Sequence, residues 1–176
     1  MRLLLLPLLV FLAAPALAQT PPAPPPAPPS CANDPLFRQQ DFTVGSWDVS
    51  RNGVKNAEVH MERVLGGCAI QERWVVPAGK SGAGLGLFTY SRVLKAWTYA
   101  WAADTGAATM FTGQFTSPTE VRYDTERPLP NGGKRVRHWT LSLLPDGRIR
   151  ELSVGSDDNG ATWTTEYELF WTKKAA

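Results

Sequence analysis

The stretch Arg135–Gly155, R-V-R-H-W-T-L-S-L-L-P-D-G-R-I-R-E-L-S-V-G, holds two strands and the turn that joins them. Trp139, Leu141 and Leu143 alternate with His138, Thr140 and Ser142. A period of two is that of a half-buried strand, so Arg135–Leu143 is expected as a strand with Trp139, Leu141 and Leu143 turned inward. Pro145-Asp146-Gly147 suits a type I turn followed by a Gly bulge and returns the chain as a second strand, Ile149–Gly155. The turn also sets which face of the second strand is inward. With the bulge, Ile149, Glu151 and Ser153 join Trp139; with a plain two-residue turn, Arg148, Arg150, Leu152 and Val154 do, because a one-residue slip exchanges the faces. The apolar count favours the second arrangement and the turn chemistry the first. We take the bulged one.

The same period runs outward in both directions. Trp47 and Val49 alternate with polar neighbours, as do Ala57, Val59 and Met61. Cys68, Ile70, Glu72 and Trp74 share one face of the next run, and Lys95, Trp97, Tyr99 and Trp101 share a face after the run Leu85–Ser91. Met110–Phe115, Val121–Thr125 and Trp163–Trp171 complete about ten strands, separated by Gly, Pro, Asn and Asp. Asn52-Gly53 suits a type I′ hairpin, and Asn131-Gly132-Gly133 supplies residues that tolerate positive φ. A short helical turn is expected from Pro35, capped by Asp34. Short loops between successive strands imply an antiparallel up-and-down meander. Closing it into a barrel of about 8–10 strands removes the apolar edges. The alternative all-β fold is a two-sheet β-sandwich.

Residues 1–18 read as a signal peptide: Arg2, an apolar run from Leu3 to Leu12, and Ala16-Leu17-Ala18 before the cut. The run is too short for a span of ~20 residues, so no transmembrane segment is expected after cleavage. Residues 19–30 form a Pro-rich linker favouring extended polyproline II, and residues 31–176 the barrel domain. The expected location is periplasmic or secreted. A net charge of +2 excludes a dedicated nucleic-acid binder. The only histidines, His60 and His138, lie on different strands without zinc-pair spacing, so no metal site is expected. Gly82-Ala83-Gly84-Leu85-Gly86 leads into a strand rather than a helix, which does not suit a phosphate loop, and no cofactor is expected.

Three motifs carry a resemblance. Gly45-Ser46-Trp47, on the first strand, looks like the Gly-x-Trp opening of lipocalin and calycin barrels. Ser156-Asp157-Asp158-Asn159-Gly160-Ala161-Thr162-Trp163 matches the Asp-box, a hairpin staple; a single copy in so short a domain rules out a multi-bladed propeller. Cys31–Val49, the block Gly67-Cys68-Ala69-Ile70-Gln71-Glu72-Arg73-Trp74, and Trp97 with Trp101 are together similar to a family of small exported bacterial proteins of unknown function. The resemblance implies a calycin-like barrel and no assigned activity. Tyr99, Ala103, Glu151 and Ser153 depart from that family's pattern, where Gln, Asp, Gln and Trp are usual. Cys31 and Cys68 both occur in the pattern. In an oxidising compartment two Cys favour one disulfide; the alternative is two unpaired thiols with Cys68 buried in the sheet.

Parity gathers Glu72, Trp74, Trp97, Tyr99, Trp101, Arg137, Trp139 and Glu151 inside the barrel. Trp97, Tyr99 and Trp101 are expected to line a cavity with Glu72, Arg137 and Glu151 as its polar floor. A buried charge is costly unless paired, so Arg137 is expected to pair with Glu72 or Glu151. Such an interior suits a small, partly apolar ligand as partner. The alternatives are a filled structural or interaction barrel of the envelope and an enzyme using Glu72 and Glu151 as an acid/base pair. No catalytic residue is otherwise marked, and oligomeric state is not legible.

Overall fold

The computed structural model describes residues 30–130 and 132–175. The expected signal peptide, nearly all of the linker, and Asn131 of the Asn-Gly-Gly turn lie outside the described residues. Ten strands follow in order: β1 Gly45–Arg51, β2 Val54–Val64, β3 Ala69–Val75, β4 Gly84–Ser91, β5 Ala96–Ala103, β6 Ala108–Ser117, β7 Glu120–Pro128, β8 Lys134–Leu143, β9 Ile149–Ser156 and β10 Thr164–Lys173. Each pairs antiparallel with its sequence neighbours, and β1 pairs with β10, so the meander closes into one ten-stranded barrel. The closing seam sets Trp47 opposite Lys173 and Val49 opposite Trp171. Closure leaves no sheet edge, which is why runs as apolar as β5 and β9 coexist without aggregation-prone borders. The sandwich is thereby excluded.

Local chemistry sets the register. Asn52 (φ 52°) and Gly53 (φ 78°) form the two-residue β1–β2 turn, with Arg51 opposite Val54. At Pro145–Gly147 the bulged turn forms: Leu144 N–H donates to Arg148 O (2.8 Å), Gly147 adopts φ 82°, and Leu143 sits opposite Ile149. Ile149, Glu151 and Ser153 are therefore buried with Trp139 and Leu141. Three expected strand residues fall outside the ladder. Lys95, at φ 51°, belongs to the β4–β5 turn. Cys68 ends a 3-10 turn at Leu65–Gly67 ahead of β3, and Trp163 precedes β10.

One end of the barrel is stoppered by residues 30–44, which make three 3-10 turns. Asp34 caps the second, its Oδ1 accepting from Leu36 N–H (3.0 Å). The segment reaches β1, β2 and β4 through β7. Tyr123 of β7 donates to Gln40 Oε1 (2.5 Å), Trp97 of β5 to Gln39 Oε1 (3.0 Å), and Trp47 of β1 to Thr43 O (2.8 Å). Phe37 packs edge-on against Tyr90, and Phe42 against Phe115. A Cys31–Cys68 disulfide joins this stopper to the β2–β3 turn. Gly67 holds φ 85° there, and a Cβ on it would stand 3.1 Å from Ala32 Cα. Trp47 lies buried at the same end with Lys173 Nζ 5.4 Å above its ring.

Candidate functional site

The interior divides into two halves. Beside the stopper it is filled: Phe88 and Tyr99 stack with centroids 4.0 Å apart, Tyr99 and Trp139 4.8 Å apart, and Tyr123 packs against Trp139 at 5.3 Å. Toward the opposite end, where five hairpins meet, a cavity of ≈ 330 Å³ opens above this stack. Tyr99, Trp139 and Phe111 line its depth, and Trp74 and Trp101 line its walls. Arg51, Asn56, Thr109 and Arg137 stand toward the mouth, and Glu151, Tyr167 and Leu169 contribute from β9 and β10.

The small residues of β4 make room for this arrangement. A Cβ on Gly86 would lie 2.5 Å from Tyr99 Cε2 and 2.6 Å from Glu72 Oε2, and one on Gly84 would lie 2.5 Å from Trp101 Cζ2. The glycine-rich stretch before and within β4 thus serves aromatic packing; Gly leaves the only space in which Tyr99 and Glu72 can meet.

Glu151 is 5% exposed, and its two oxygens are held by different indoles. Trp139 Nε1–H donates to Oε1 (2.9 Å) and Trp171 Nε1–H to Oε2 (2.8 Å). Burial pushes the Glu151 carboxyl above its ordinary range, and the two indoles and the Tyr167 hydroxyl oppose the rise. Glu72 lies below, accepting from the Tyr99 hydroxyl at 2.5 Å. Burial pushes it up to about 8; the Tyr99 bond pulls it down and the charge of Glu151 adds to the rise.

Six of the eight expected interior residues meet at the cavity: Trp74, Tyr99, Trp101, Arg137, Trp139 and Glu151. Two do not. Trp97 is spent at the stoppered end between Tyr90 and Phe115, its N–H on Gln39. Glu72 is sealed beneath Tyr99, outside the cavity lining. An acid/base pair open to one ligand is therefore not formed by Glu72 and Glu151. Arg137 belongs to the mouth rather than the floor and pairs with neither of them. Its Nε lies 2.6 Å from Glu166 Oε2, and Glu166 also takes Arg135 Nε (2.9 Å) and Ser153 Oγ (2.7 Å). The cause is a bulge in β10: Thr165 pairs with Val154 and Tyr167 with Ser153, so Glu166 is the extra residue and turns toward the arginines.

Phe111, Tyr167 and Leu169 were not anticipated. The signal was parity again: Tyr167, Leu169 and Trp171 share a face of β10, and Phe111 shares one with Gly113 on β6. Neither histidine joins the site. His60 Nδ1 is 3.0 Å from Ser46 Oγ, and His138 bonds Asp124 and stacks on Trp163 at 4.1 Å. The Ser156–Trp163 hairpin is stapled from within, Ser156 Oγ accepting from Gly160 N–H (2.8 Å) and Asp158 from both Thr162 N–H (2.8 Å) and its hydroxyl (2.6 Å), and is tied to β8 by Arg135 on Asp157 (2.6 Å). Among the described residues no group of His, Cys, Asp and Glu is placed to hold a metal ion, and no helix is long and apolar enough to cross a membrane. No protein-family model matches the chain, and no curated protein matches it in sequence.

Proposed function

We propose that this protein is an exported binding barrel that takes a small, partly apolar molecule into the aromatic cup at its open end. The observation that carries this is the half-filled interior: one end is stoppered and packed solid, while the other keeps ≈ 330 Å³ between aromatic walls with a fixed polar group, Glu151, at depth. That combination of apolar walls and a few convergent polar groups is what small-molecule sites share. The Cys31–Cys68 bond and the leader-like residues 1–18 support export to the periplasm or beyond, since such bonds persist in oxidising compartments. The similarity to small exported bacterial proteins supports the same location and contributes no activity.

The test is a tryptophan-fluorescence titration of oxidised protein with a panel of small cationic, anionic and uncharged molecules, each with an apolar body. At least one should give a saturable response. Thr109→Trp, which places an indole in the cup from the β6 wall, should remove that response while the barrel still melts cooperatively. Failure of every panel member to respond, or an unchanged response in Thr109→Trp, would refute the binding role.

A further inference from the structure

The chemistry of the cup narrows the class of molecule it takes, and this inference rests on the binding reading above. Glu151 is buried and lines the cavity, yet the hydrogen bonds it receives come from neutral donors, the Trp139 and Trp171 indoles. Among the described residues neither Glu151 nor Glu72 forms an ion pair. The cations nearest the mouth are engaged elsewhere, Arg137 with Glu166 Oε2 at 2.6 Å and Arg51 with the Glu166 carbonyl at 3.3 Å. A carboxylate taken out of water normally needs a countercharge. Here the protein places aromatic side chains around it instead, and aromatic faces attract cations.

The number of donors refines the class. A carboxylate offers about four lone-pair sites; Trp139 and Trp171 each place an indole N–H on one oxygen, and Tyr167 lines the cavity with them. With both oxygens already accepting from indoles that wall them in, Glu151 offers charge more than it offers an acceptor. A primary ammonium, with three N–H donors to satisfy, is poorly served; an alkylated ammonium has no such demand and an apolar surface for the rings. We propose that the cup recognises a small quaternary or fully alkylated ammonium compound, its cationic head held over Glu151 by the surrounding indole and phenol rings and its remaining part directed to the mouth.

The experiment compares choline with 3,3-dimethylbutan-1-ol, which has the same shape with carbon in place of the charged nitrogen. Binding is followed by calorimetry on the oxidised full chain, on Glu151→Gln and on Trp101→Leu. Choline should bind the wild type more tightly than the alcohol by about tenfold or more. The preference should shrink toward unity in Glu151→Gln. Trp101→Leu leaves Glu151 and its bonds in place and removes one wall, so it should also reduce the preference should Glu151→Gln fail to fold. Equal affinity for the two probes, an unaltered preference in the variants that fold, or no choline binding would overturn the proposal. Alcohol binding without choline binding would overturn it while leaving the binding barrel intact, and the uncharged members of the wider panel separate the two failures in the same way.

Discussion

At the residue scale the most consequential pair is Glu72 with Tyr99. Glu72 is 2% exposed and its carboxyl is raised to about 8 from an ordinary 4.5. An acid with a higher pKa folded than unfolded takes up a proton on folding between the two values. Its contribution therefore weakens stability as pH rises from about 4.5 to about 8, by at most about 1.4 kcal/mol per pH unit. Denaturant midpoints of the wild type should fall across that window. Glu72→Gln, whose amide oxygen can still accept from Tyr99, should fold and show a shallower fall; parallel curves would mean Glu72 is charged in the native protein. This residue also marks the limit of what parity reveals. Alternation placed Glu72 inward correctly, but depth along the strand, not face, separates a cavity residue from one beneath the floor. Trp97 failed for the same reason: it shares a face with Tyr99 and Trp101 yet stands two and four residues nearer the stopper.

At the scale of elements, turn chemistry outweighed apolar count. Arg148, Arg150, Leu152 and Val154 would have made the more apolar inner face of β9, but Gly147 at φ 82° adds the residue that turns Glu151 inward. The opposite lesson comes from β10. Its bulge at Glu166 has no Gly or Pro to announce it, so the partner of Arg137 was out of reach of the sequence. The stopper is held by contacts to other elements and by one covalent bond. Residues 30–44 carry three short 3-10 turns, too brief to hold themselves, and are fixed by Gln39, Gln40, Phe37 and the Cys31–Cys68 link. With the cysteines separated by 37 positions in sequence, the chain-entropy relation gives the link a value of about 4 kcal/mol. Reduction, or Cys31→Ser with Cys68→Ser, should lower stability by an amount of that order in denaturant unfolding. A loss below about 1 kcal/mol would show that the stopper is held by its packing alone.

At the scale of the molecule, the barrel is built from two ends with different tasks. The stoppered end spends its aromatic residues on a stacked core and leaves no room; the open end holds its aromatic residues apart. Closure into a barrel was the reading that the period of two and the short loops favoured over a two-sheet sandwich, since closing the sheet removes its edges. The division of the interior was not, because it depends on Gly84 and Gly86 receiving side chains from β5 and on a segment outside the sheet crossing one end. The claim that the open half is a binding site is tested most directly by the indole N–H resonances of the seven tryptophans, recorded with and without a panel molecule that gives saturable binding. Ligand in the cup should shift the Trp139 and Trp171 N–H signals, which both report on Glu151, together with Trp74 and Trp101, while the Trp47 and Trp97 signals at the stoppered end stay in place. Shifts confined to Trp47, Trp97 or the outer-face Trp163 would contradict it.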